Sequence, residues 1–270
     1  MTDDPRDAVD EGRASAPSRA RAWLELVRIA NLPTVASTAI AGAAIGTAVA
    51  TDCATGACWA SVARAAWWSL LAPPLAYLAG MALNDAFDAT IDARERPARP
   101  IPSGRITRTA AFAAGALLLA GAIAAAALAQ SILALAATVL LVAAVLLYDA
   151  IHARIAASVV LLALARALAT LVPIAAFATI DDAGVAFSER LRTTPAHAAA
   201  LLGDPRVLVL PIATAAWTLA LSTVARGEVA RMRRAPERGR ASTRERLVRA
   251  ATFIPPIAVL VAAVLAFRGG

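Results

Sequence analysis

Lysine is absent from this chain of 270 residues, and cysteine and histidine occur only twice each. The basic charge, +7 with a pI near 11, is therefore carried by arginine alone. Cys53 and Cys58 have no histidine near them, which argues against a Cys/His zinc site. The first 20 residues, "MTDDPRDAVDEGRASAPSRA", lack the apolar segment of a signal peptide. Acidic and bearing Pro and Ser, they read as a disordered tail, leaving 21–270 as one transmembrane domain. Missing too is a D-G-x-x-A-R signature, which sets aside the transferases that use a diphosphate-linked alcohol through that motif.

Hydrocarbon is present in excess. The chain is 60% hydrophobic with a mean hydropathy of +0.67, so its natural solvent is the bilayer. Apolar runs near the ~20 residues that cross a bilayer occur at about 32–50, 65–83, 109–128, 131–148, 157–179, 206–224 and 251–267. They predict an all-α polytopic transmembrane helical bundle of about seven spans. Small residues, as in "AGAAIG" at 41–46, suit close helix packing. With the N-terminus inside, the inner segments hold 20 of the 26 arginines, the outer ones five, and Arg166 lies within a span. This asymmetry predicts a cytoplasmic N-terminus in a bacterial-type cytoplasmic membrane. It also turns the basic charge toward membrane topology and away from nucleic acid. Cys53 and Cys58 then fall in the first outer loop, where either a disulfide or two free thiols is admissible.

One stretch interrupts the pattern. "LNDAFDATIDARERPARPIPSGR", residues 83–105, places acids, an Asn and arginines at the cytoplasmic end of the second span. Asn84, Asp88 and Asp92 are spaced i, i+4, i+8 and so share one helical face, with Asp85 beside it. Stacked carboxylates repel unless a cation sits among them, and Mg²⁺ favours such hard oxygens together with phosphate and water. Arg94, Arg96, Arg99 and Arg105 follow as forked donors suited to phosphate. For the arginines alone, a solvated helix end explains the pattern. The acids exceed that explanation, because they contribute little to topology and are costly at a membrane end.

The run "NDAFDATIDARERPARPIPSGR" resembles the first aspartate-rich motif of the UbiA superfamily of intramembrane prenyltransferases, N-D-x-x-D-x-x-x-D followed by R-P-x-R-P-x-P-x-G. "LVRIANLPTVASTAIAG" at 26–42 and "LLYDAIHARIAASVVLLALARALATLVP" at 146–173 are similar to further family segments. The resemblance implies a helical bundle around a cavity open to lipid. In it, Mg²⁺ on the aspartates holds an isoprenyl diphosphate, and the isoprenyl group passes to an aromatic or lipid-like acceptor. Asn84, Asp85, Asp88 and Asp92 would serve the metal, Arg99 and Arg105 the diphosphate, and Tyr148 the allylic carbon. The family's second motif, D-x-x-x-D, is not matched: "TLALSTVARGEVARMRR" at 218–234 offers Glu228 as its one acid, with Arg226 and Arg231 free to neutralise diphosphate. After Tyr148 the family's Lys is replaced by Asp149, His152 and Arg154. These departures keep a second reading open, a non-catalytic UbiA-like scaffold that binds or moves an isoprenoid-related metabolite.

The remaining polar residues divide between structure and site. Asn31 either caps the first span, with Pro33 in its first turn, or joins Arg28 at the cavity. Arg166 is costly inside an apolar helix and should face a wet cavity, an acid or diphosphate. Asp149 is a candidate acceptor-side base or a hydrated helix end, and His152 reads as a surface residue. Trp59, Trp67, Trp68 and Trp217 read as interfacial belt residues. The arginine-rich 226–250 reads as a loop that binds anionic lipid, and 180–205 carries nothing recognisable.

Overall fold

The computed structural model describes residues 18–50, 65–152, 155–179 and 186–234, with side chains as far as residue 225. Nine α-helices and no strand occur among the described residues. They are α1 (Arg19–Leu26), α2 (Leu32–Val49), α3 (Ala72–Phe87), α4 (Ala89–Glu95), α5 (Arg108–Leu128), α6 (Ile132–Ile151), α7 (Val159–Ala178), α8 (Phe187–Gly203) and α9 (Pro205–Arg234). Cys53, Cys58, Trp59, Arg154 and the run 251–267 lie outside the described residues, as do the side chains of Arg226, Glu228 and Arg231.

Helix starts follow local chemistry. Ser18, Thr107 and Ser131 each accept a hydrogen bond from the backbone N–H three residues on, satisfying donors that a first turn leaves unpaired. Asn31 occupies the corresponding place before α2 but makes no capping bond, and it is exposed. Among the described residues five helices are long and apolar enough to cross a membrane: the stretch 29–49, α5, α6, α7 and the first 21 residues of α9. The run expected as a second span at 65–83 is displaced. A 3₁₀ turn, Trp67–Leu70, precedes α3, which has prolines in its first turn and continues to Phe87. Proline lacks an N–H and is best accommodated in a first turn, so the helix starts at Ala72 and the whole element shifts toward the C-terminus. Asn84 and Asp85 therefore sit inside a helix. Between 180 and 205 the amphipathic α8 occupies the stretch in which no motif was legible; its polar, arginine-bearing sequence gives it no span-like run.

The bundle is organised around α7, which packs against α2, α6 and α9, while α3 packs on α5 and α6. Its buried interior is dominated by alanine, while Leu117 (74% exposed) and Ile212 (62%) point outward, as a lipid-facing surface allows. Gly42 and Gly46 form a Gly-x-x-x-Gly step of α2 against α7. A Cβ on Gly46 would lie 2.5 Å from the Ile174 carbonyl oxygen, and one on Gly42 2.8 Å from that of Thr170. Backbone cannot retreat as a side-chain tip can, so Gly46→Ala must part the two helices. It is expected to cost about 1–3 kcal/mol by overpacking, read as a lowered unfolding temperature in detergent.

Candidate active site

Five helix ends meet at one end of the bundle: the start of α2, the end of α3, the starts of α5 and α7, and the end of α6. α3 and α4 are nearly continuous, since Asp88 N–H donates to the Asn84 carbonyl at 2.9 Å and Asp92 N–H to that of Asp88 at 2.9 Å. The bend at Asp88 nevertheless separates the acids into two groups.

Asp85 and Asp92 form the first group with arginine. Asp85 is 5% exposed and accepts from Arg28 Nη2 at 3.1 Å and from Arg99 Nη1 at 3.2 Å. The same Arg99 nitrogen donates to Asp92, which is 4% exposed. Two buried carboxylates thus share one guanidinium, the compensation that a low-dielectric site demands. Arg28 stands in the left-handed region, φ 48°, at the junction between α1 and α2. Its carbonyl accepts from the Tyr77 hydroxyl at 3.3 Å.

Asn84, Asp88, Asp149 and His152 form the second group. His152 Nε2 lies 3.0 Å from Asp88 Oδ2 and 3.3 Å from Asn84 Nδ2, while Nδ1 lies 3.2 Å from the Asp149 carbonyl. Nδ1 can only donate to that carbonyl. Nε2 then accepts from Asn84 in the neutral ring and donates to Asp88 in the charged one. The imidazole stacks on Tyr148 with centroids 5.1 Å apart. Asn84 Nδ2 also reaches Asp149 Oδ1 at 3.4 Å, leaving Asp149 Oδ2 buried without a hydrogen-bond partner. His152, expected at the surface, has a side chain only 15% exposed. Its spacing from Tyr148 and Asp149 held the clue: residues three and four apart on a helix share a face.

Arg105 is engaged elsewhere. It grips Glu25 of α1 through two nitrogens, at 2.7 and 3.2 Å, and also donates to the Ala98 carbonyl at 2.8 Å. The guanidinium holds the Glu25 carboxyl below the usual range of glutamate. Glu25 carries no motif signal, and only folding reveals it as the anchor of the Arg/Pro loop.

A cavity of about 90 Å³ opens beside the second group, walled by α2, α3, α6 and α7. Tyr148 and Asp149 line its mouth, and Tyr77 and Arg166 lie further along. Its walls are otherwise apolar. Asn31 and Asp92 do not line it.

No group of three or more acidic, His or Cys residues converges closely enough to enclose a metal ion among the described residues. The donor set at the mouth nonetheless suits Mg²⁺, which takes one or two carboxylates and completes its shell with water and phosphate oxygens. Asp88, the Asn84 amide oxygen and the orphaned Asp149 Oδ2 supply such oxygens.

A digeranylgeranylglyceryl phosphate synthase of Korarchaeum cryptofilum is 57% identical over 42 residues, 16% of this chain and 15% of that protein. One from Methanopyrus kandleri is 39% identical over 100 residues, 35% of this chain and 31% of that protein. The chain thus matches less than a third of either relative's length. A solved structure described as "Structural and mechanistic insights into the biosynthesis of Digeranylgeranylglyceryl phosphate synthase in membranes" shares the fold, with a TM-score of 0.56 at 18% identity. It covers 91% of this chain and 99% of its own. The sequence profile of the UbiA prenyltransferase family matches residues 32–269. Motif, fold and profile agree, and the chain belongs to the UbiA prenyltransferase family.

Proposed function

We propose that this integral membrane protein is a Mg²⁺-dependent prenyltransferase. In this reading it moves an isoprenyl group from its diphosphate to a glyceryl-phosphate lipid, the acceptor class named in its relatives. The observation that carries the reading is the meeting of an oxygen-rich cluster with an apolar cavity at Asp149, which belongs to both. A diphosphate headgroup and a hydrocarbon tail need those two environments side by side.

Asn84 and Asp88 would hold Mg²⁺, which when bound lowers the energy of the departing diphosphate, and this leaves Asp149 Oδ2 uncoordinated. The chain's own groups account for the rest. Arg28 and Arg99 pair with Asp85 and Asp92, so these acids do not repel a diphosphate arriving at the mouth. The allylic C–O bond breaks, the diphosphate leaves with the bonding electrons, and an allylic cation remains. Tyr148 offers that cation its ring face, an attraction of ~0.5–2 kcal/mol. The apolar walls withhold water from it. An acceptor oxygen forms the new C–O bond and gives up its proton to Asp149 Oδ2. The arginine distribution supports a cytoplasmic mouth and N-terminus.

A specific observation supports the scaffold reading as second choice. Glu228 is the one acid in 218–234, so a second metal would find few ligands. Purified protein in nanodiscs, given geranylgeranyl diphosphate and a glyceryl-phosphate lipid, distinguishes the two. Prenylated lipid formed with Mg²⁺ and abolished by EDTA is the expected result. Tight Mg²⁺-dependent binding of the diphosphate without product would instead identify a scaffold.

A further inference from the structure

Arg166 stands in the cavity wall with no carboxylate beside it. Its guanidinium lies over the Tyr77 ring, 5.8 Å from the centroid, and forms no ion pair with any described acid. Four other arginines at this end of the bundle are committed to oxygens: Arg28 to Asp85, Arg99 to Asp85 and Asp92, Arg105 to Glu25, and Arg108 to the Ala86 carbonyl. A cation held at membrane depth without an anion is costly and marks a ligand by default. Its place separates it from the mouth. Arg166 lies seven residues into α7, and Tyr77 seven residues before Asn84, so each is about 10 Å along its helix from the charged end. Between them and the mouth the cavity wall includes Gly80, Met81 and Val145, which offer no charge.

From this geometry we infer that Arg166, backed by Tyr77, is the recognition site for a compact anion on an apolar body: the acidic headgroup of the acceptor, bound separately from the donor diphosphate. The inference rests on the prenyltransferase reading for the word acceptor, and on the cavity alone for the anion. Guanidinium suits this task because it forks onto two oxygens and is weakly hydrated, so it loses less than an ammonium on entering an apolar cavity. The tyrosine ring holds the cation when no ligand is bound, which limits the cost of the empty site.

The test needs no turnover. The full chain, purified in a neutral detergent, is titrated with dioleoyl phosphatidic acid and separately with uncharged dioleoylglycerol, binding being read as a rise in unfolding temperature. Phosphatidic acid should stabilise the wild type and dioleoylglycerol should not. Arg166→Met keeps the length of the side chain and removes an unpaired buried charge, so it should fold. Its affinity for phosphatidic acid should fall at least about tenfold. Arg166→Lys, which keeps the charge without the fork, should recover part of the loss. Asp88→Asn should bind phosphatidic acid as the wild type does. Binding unchanged in Arg166→Met, or lost in Asp88→Asn instead, would place the anion at the mouth or on the basic surface and overturn the inference. In a transfer assay, Arg166→Met should raise the acceptor KM and leave the donor KM unmoved; the reverse pattern would assign Arg166 to the diphosphate. If Arg166-dependent binding is found while the wild type forms no prenylated product, the anion site stands and the transferase reading fails.

Discussion

Asp88→Asn is expected to lower Mg²⁺-dependent diphosphate release by at least about a hundredfold, the scale on which loss of one charge-stabilising group acts in an active site. The substitution removes a charge and almost nothing else. Asn is isosteric, its amide can still hydrogen-bond His152 Nε2, and the Asp88 side chain is 20% exposed, so no buried cavity opens. The unfolding temperature should therefore stay close to that of the wild type. Release of diphosphate from geranylgeranyl diphosphate, measured with and without Mg²⁺, is the direct readout. A variant that remained fully active would remove Asp88 from the site and shift the metal role to Asp85 and Asp92. Those two carboxylates, however, already share Arg99.

That sharing yields the second large effect. Arg99→Ala should destabilise the protein by about 3–5 kcal/mol, the cost of leaving buried charge without its partner. Asp85 and Asp92 expose only 6% and 5% of their side chains, and Arg28 reaches Asp85 but not Asp92. Arg96, 4.0 Å from Asp92 and 58% exposed, is too distant and too solvated to substitute. The triple variant Arg99→Ala, Asp85→Asn, Asp92→Asn tests the cause. Neutral amides can remain buried with fewer partners, so most of the lost stability should return. Equal instability in the single and triple variants would trace the effect to the lost packing of the arginine stem instead. Unfolding in detergent separates these outcomes, because both variants are compared at one lipid and salt composition.

Much of this molecule is legible before folding. An apolar run of about twenty residues must bury its backbone polar groups in a helix to cross hydrocarbon, and five such helices stand where the hydropathy places them. The acid-and-arginine stretch at 83–105 announces a charged site because nothing in a bilayer retains such residues without use. Arg166 is conspicuous for the same reason. Composition and local spacing suffice for these conclusions because the bilayer penalises each exposed polar group individually, with little reference to the rest of the chain.

Partnership is another matter. Periodicity puts Asn84, Asp88 and Asp92 on one face, yet only the folded chain divides them, giving Asp92 to Arg99 and Asp88 to His152. The bend at Asp88 makes that division, and no spacing rule contains it. The Glu25–Arg105 pair joins residues 80 apart in sequence, and the Asp88–His152 pair joins residues 64 apart. Such contacts depend on which helix ends converge. That is decided by the close approach of α2 to α7 at Gly42 and Gly46, and of α3 to α5 at Gly115, where a Cβ would meet Leu83 Cγ at 2.5 Å. The sequence determined the helices, their medium and the chemical character of the site. The tertiary structure alone decided which charges neutralise one another and which cation, Arg166, is left facing the cavity, because packing sets the distances on which electrostatic pairing depends.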